Sequence, residues 1–183
     1  MSGLSAAIQL ARGQPGLVAD LRAEASDVAQ SFITVALASV PLVTLRLMLW
    51  ATGDGIPANA IHLLLHDLLV FTVSWLGFIV ITHRLADRLG RAPLWPRFVI
   101  LYSWCNVVAN SLVLLGAIPE LLGAPAIVGQ VSQVVVAGWA LWLSWYLIRL
   151  TLRTGPLLAL YLVLVEQTIG ISFTIAAATF APK

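Results

Sequence analysis

The sequence predicts an all-α polytopic membrane protein, a five-transmembrane-helix bundle with a short amphipathic cytoplasmic N-terminal segment. Three observations carry that prediction. Hydrophobic residues make up 60% of the 183-residue chain and charged residues only 10%, with a mean hydropathy of +0.96, which leaves too little polar surface to coat a water-soluble globule. The apolar residues fall into five stretches, each close to the roughly 20 helical residues that a hydrocarbon layer of about 30 Å requires. The basic residues collect on alternate connections, as the positive-inside rule demands of a multi-pass chain. Five crossings use most of the length, so the expected organisation is a cytoplasmic lead over residues 1–28 and one transmembrane domain over residues 29–183.

In the lead, Leu4, Ala7, Ile8 and Ala11 are spaced to line one face of a short membrane-surface helix. Pro15 and Gly16 break it. A second, polar-rich helix is expected from Leu17 to Ala29, with Leu17, Leu21 and Val28 apolar among Asp20, Arg22, Glu24 and Asp27. It reads either as a partner-docking helix or as a solvated entry to the first span. Its charges cancel locally, so strong attraction to anionic lipid is not expected. The charges between Met1 and Gln30 also argue against a cleavable signal peptide, which leaves targeting to the first span.

The spans are expected at Ala29 to Ala51, Ala60 to His83, Phe98 to Ile118, Ala124 to Ile148 and Pro156 to Phe180. The connections Thr52 to Asn59 and Pro119 to Gly123 are short and rich in Gly and Pro, so their flanking helices should pack as antiparallel hairpins. Arg12, Arg22, Arg84, Arg88, Arg91, Arg97, Arg149 and Arg153 fall on one side, eight of the ten basic residues, leaving Arg46 and Lys183. The N-terminus is therefore expected in the cytoplasm and the C-terminus in the periplasm. Basic residues distributed by topology need no nucleic-acid partner, and none is expected.

Polar residues inside the spans carry the functional signal, because hydrocarbon drives them toward a neighbouring helix or a cavity. Glu166 lies ten residues into the fifth span, about 15 Å deep at 1.5 Å per residue. Gly170, Thr174 and Ala178 share its stripe and would let another helix approach closely. Two readings stay open: a protonatable site for a proton or cation, or a buried carboxyl that glues helices by hydrogen bonding. In the fourth span Gln130, Gln133, Ala137, Ala140 and Ser144 fall within roughly 80° of one another and should face inward, opposite a lipid-facing row of Trp139, Trp142 and Trp145. Tyr102, Asn106 and Asn110 form a further row in the third span. The candidate intramembrane polar site is thus Glu166, Gln133, Asn106 and Asn110.

Arg46 and Asp67 lie at similar depth on adjacent antiparallel spans and are the candidate ion pair, with snorkelling of Arg46 to the headgroups as the alternative. His62 and His66 have the i, i+4 spacing that presents two imidazoles together. Zinc wants three or four protein ligands, so no metal and no cofactor is expected. The single cysteine, Cys105, sits in an apolar segment and reads as a small buried hydrophobe.

The layout, the basic second loop Arg84-Leu85-Ala86-Asp87-Arg88-Leu89-Gly90-Arg91, and the strings Leu10-Ala11-Arg12-Gly13 and Tyr102-Ser103-Trp104-Cys105-Asn106 resemble those of bacterial Yip1-like membrane proteins and small alphaproteobacterial proteins of this design. The resemblance implies a bacterial cytoplasmic membrane. Eukaryotic Yip1 relatives are linked to Rab-dependent vesicle traffic, but the family brings no catalytic motif to transfer. The chain also lacks a His-Glu-x-x-His motif, a Gly-x-Ser-x-Gly elbow and paired midplane aspartates. The expected function is a non-enzymatic scaffold, assembly or accessory subunit that binds the bilayer and other membrane proteins or itself. The alternative is a small transporter or channel using a midplane carboxylate as an oligomer.

Overall fold

The computed structural model describes residues 3–16, 18, 21, 23–53 and 55–180, giving the backbone alone at 25 and 177–180. All regular structure among them is helical. Helices α1 (Gly3–Ala11) and α2 (Ala25–Ser31) precede five long helices, α3 (Ile33–Thr52), α4 (Ala60–Arg88), α5 (Trp95–Leu121), α6 (Ala126–Thr151) and α7 (Pro156–Phe180), with one 3-10 turn at Ala92–Leu94. Five of these are long and apolar enough to cross a membrane, the first by running through Phe32 as Ser26–Thr52. Leu17, Asp20, Arg22 and Lys183, which entered the sequence reading, lie outside the described residues, as does the side chain of Ala178.

Helices α4 and α5 end beyond the expected His83 and Ile118, at Arg88 and Leu121, where a glycine follows. Gly90 (φ +65) and Gly123 (φ +79) adopt the left-handed conformation that stops α4 and α5. At each, the next amide reaches back across the last turn, Arg91 N–H to Ala86 O at 2.7 Å and Ala124 N–H to Pro119 O at 2.9 Å. Helix α4 outruns its expected end at His83 because Leu85 to Arg88 remain good helix formers until that glycine.

Helix α5 is the hub. It packs on α3, α6, α1 and α2, while α7 packs on α4 and α6. The α5/α6 hairpin closes tightly at Gly116, where a Cβ would lie 2.9 Å from Val136 Cγ2. Helices α3 and α4, expected to pack as a hairpin, touch only sparingly, and the gap between them becomes the site described below. Phe78, Phe98, Leu101, Leu143, Leu147 and Leu162 form a closely packed core toward the end where Arg84 to Arg97 and Arg149 to Arg153 collect, called here the basic end.

The lead departs from a membrane-surface helix. Ala6, Ala7 and Leu10 are fully buried in the same core as the spans, whereas Leu4 and Ile8 stay partly exposed. The Gly3 backbone abuts the Trp104 indole, and Gly13 O accepts a hydrogen bond from Tyr146 Oη at 3.3 Å. Helix α1 therefore wedges into the groove between α5 and α6, and a groove of protein offers it closer packing than lipid does. The wedge also changes the tryptophan row. Trp139 and Trp145 pack partly against the core, and Trp142 stacks on Tyr146 with centroids 5.2 Å apart, so the row does not simply face lipid.

Leu10→Ala should lower stability by roughly 2 kcal/mol through lost packing, while Leu4→Ala should stay within about 0.5 kcal/mol. Thermal unfolding of the two variants in one detergent checks the difference.

Candidate functional site

Glu166 reaches the centre of the bundle from α7, and Tyr102 meets it from α5. The Tyr102 hydroxyl donates to Glu166 Oε1 at 2.6 Å. The tyrosine ring is held by Phe98, stacked at 5.5 Å, and by Phe78 at 5.2 Å. One turn on, Asn106 Nδ2 donates to Tyr102 O at 3.0 Å, and Asn110 Nδ2 donates to Asn106 O at 2.9 Å. Ser144 of α6 approaches the same carboxyl, yet Glu166 Oε2 is buried without a well-formed hydrogen bond.

A cleft of about 370 Å³ opens beside this carboxyl, lined by Glu166, Tyr102 and Asn106 together with Ser74, Gly170 and Thr174. Gly170 and Thr174 lie one and two turns beyond Glu166, and their small side chains leave the space that a larger residue would fill. A second cleft of about 380 Å³ shares Phe71, Ser74, Gly170 and Thr174 with the first and continues between α3 and α4 to Arg46, His66 and Asp67. The two form one groove, mostly apolar but carrying Glu166, Tyr102, Asn106, Ser74, His66, Asp67 and Arg46, from the middle of the bundle into the half away from the basic end.

At its outer part, Arg46 and Asp67 are paired. Arg46 Nε donates to Asp67 Oδ2 at 2.8 Å, and Arg46 Nη2 lies 2.8 Å from the same oxygen. The Arg46 guanidinium also lies 5.8 Å from the Trp50 ring centroid. His66 Nδ1 stands 3.7 Å from Asp67 Oδ1, while His66 Nε2 is buried and unpartnered. His62 is exposed and lines neither cleft, so the two imidazoles do not converge. Among the described residues no three His, Cys, Asp or Glu side chains are grouped as a metal would need.

The structure thus gathers Glu166 and Asn106 in one place and Arg46 and Asp67 in another. Asn110 is committed to backbone one turn away from the cleft. Gln133 lines neither cleft; it stands eleven residues from Ser144, about 16 Å farther along α6, so the expected polar layer forms with Ser144 in its place. Ser74 escaped the sequence reading. Its signal was present, because His66, Val70 and Ser74 share one i, i+4 stripe.

No protein-family model matches the chain, and no curated protein or solved structure does either.

Either Arg46→Ala or Asp67→Ala leaves a lone charge within a span and should destabilise the bundle, with a coupling energy on the order of 1–3 kcal/mol in a double-mutant cycle. Unfolding of the two single variants and the double variant in detergent measures it, and additive effects would contradict a working pair.

Proposed function

We propose that this is a non-enzymatic membrane protein that takes up a proton or small cation at Glu166 and passes it along the groove, as a small transporter or channel assembled from several copies. The observation that carries this reading is the buried Glu166 carboxyl, whose Oε2 makes no well-formed hydrogen bond among the described residues, beside an open cleft. A carboxyl that served only to glue helices would need its bond to Tyr102 and no cavity. Two further buried polar atoms without partners, Ser74 Oγ and His66 Nε2, belong to residues lining the same groove. Unsatisfied polar atoms cost free energy in an apolar interior, and a hydrated or ion-bearing groove offsets that cost. Tyr102 donates and Arg46 is already paired, so no free cation competes for the Glu166 carboxyl among the described lining residues. That electrostatic balance favours a proton or cation over an anion.

The reading places the basic end in the cytoplasm of a bacterial cell and the groove toward the periplasm, following the charge asymmetry and the Yip1-like layout. Passage to the cytoplasm then requires the Phe78, Phe98 and Tyr102 rings to part.

A second reading, the scaffold or accessory subunit, is favoured by the outward face of α7. Thr168, Ser172 and Ala176 are exposed and spaced four apart along a shallow recess, the pattern with which membrane helices associate closely.

Glu166→Gln should reduce proton or cation flux in proteoliposomes to that of protein-free vesicles while the protein elutes and unfolds as the wild type does. Unchanged flux would remove Glu166 from the mechanism. Under the second reading, Ser172→Leu should instead release a protein that copurifies stoichiometrically from native membranes.

A further inference from the structure

A separate cavity of about 180 Å³ lies at the basic end, bounded by the first turn of α5, the last turn of α6 and the lead around Pro15 and Val18. Arg97 and Arg153 line it, and among the described residues no acidic side chain does. Neighbouring arginines are engaged elsewhere: Arg91 Nη1 donates to Leu152 O at 3.1 Å, and Arg149 lies 5.2 Å from the Trp145 ring centroid. Arg97 and Arg153 have no ion pair among the described residues. A long cationic side chain at this level ordinarily snorkels to water, yet Arg97 Nε is buried with no hydrogen-bond partner among the described residues. Arg97 is also the third residue of α5, where the helix dipole favours negative charge.

Arg153 adds an independent indication. It takes the residue after the C-cap of α6 at φ +50, the only non-glycine residue with positive φ among those described, where α4 and α5 use glycine. A non-glycine side chain there is strained, and in return α6 ends with a guanidinium on the cavity wall.

We propose that Arg97 and Arg153 form a binding site for a phosphate-bearing anion at the level of the lipid headgroups. The cavity has room for about six waters at roughly 30 Å³ each, enough for a tetrahedral phosphate and its first ester link. Two guanidiniums satisfy such a group through charge-assisted hydrogen bonds. The site is independent of the groove around Glu166.

The test is calorimetric titration of the full-length protein in neutral detergent with dioctanoyl phosphatidic acid, with inorganic phosphate, and with dioctanoylglycerol as the phosphate-free control. Saturable binding of the lipid but not of inorganic phosphate identifies a headgroup, and binding of inorganic phosphate as well identifies a site open to soluble phosphate; each supports the proposal. Arg97→Gln and Arg153→Gly should each weaken binding about tenfold, as loss of a charge-assisted hydrogen bond would, while Arg84→Gln outside the cavity should not. Glycine suits the Arg153 backbone, so Arg153→Gly preserves the fold and decides the matter even if Arg97→Gln does not fold. Absence of saturable binding, equal binding of dioctanoylglycerol, or equal weakening by Arg84→Gln would overturn the assignment.

Discussion

The hydrogen bond from Tyr102 to Glu166 is the interaction on which the arrangement turns. It joins α5 to α7, two helices that otherwise meet mainly through their common neighbour α6. A carboxyl about 15 Å into a span is tolerated only where protein supplies the contacts that lipid withholds. Tyr102 supplies one of them, and Phe78 and Phe98 fix the ring that carries it. The other carboxyl oxygen makes no well-formed hydrogen bond among the described residues, so the bond positions Glu166 without exhausting it.

That bond also divides the bundle into unlike halves. Toward the basic end the interior is filled by Phe98, Leu101, Leu147 and Leu162, and the α1 wedge adds Ala6, Ala7 and Leu10 to the same core. Away from it, α3 and α4 stand apart, and the space between them is open and mostly apolar, with Arg46, His66, Asp67 and Ser74 as its polar groups. Arg46 and Asp67 bridge α3 and α4 across this gap and neutralise each other there. Dense packing resists deformation, so the filled half is suited to act as a frame and the open half to hold a solute.

Much of this was written in the one-dimensional pattern, for identifiable reasons. Span number follows from apolar length, whereas the ends set by Gly90 and Gly123, whose backbone conformation glycine alone adopts freely, lie beyond the expected His83 and Ile118. The proximity of Arg46 and Asp67 followed from counting depth on antiparallel helices. Counting depth also exposes the error over Gln133, which shares a face with Ser144 but stands far along α6 from Glu166: angular position alone does not place a residue in a layer. The α1 wedge was illegible because Leu4, Ala6, Ala7, Ile8 and Leu10 surround the helix, and only the groove between α5 and α6 selects which of them is buried. The sparse contact between α3 and α4 was equally hidden, since a short connection sets which helices can be neighbours and not how closely they pack.

Glu166 as the site of proton or cation uptake is the claim on which the functional account rests, and infrared spectroscopy of the reconstituted protein tests it most directly. The account predicts a carboxyl signal, absent from Glu166→Gln, that changes reversibly with the pH on the groove side or with an added cation. A Glu166 signal that ignores both over the range in which the protein stays folded would contradict it, and would leave the carboxyl as a structural link between α5 and α7.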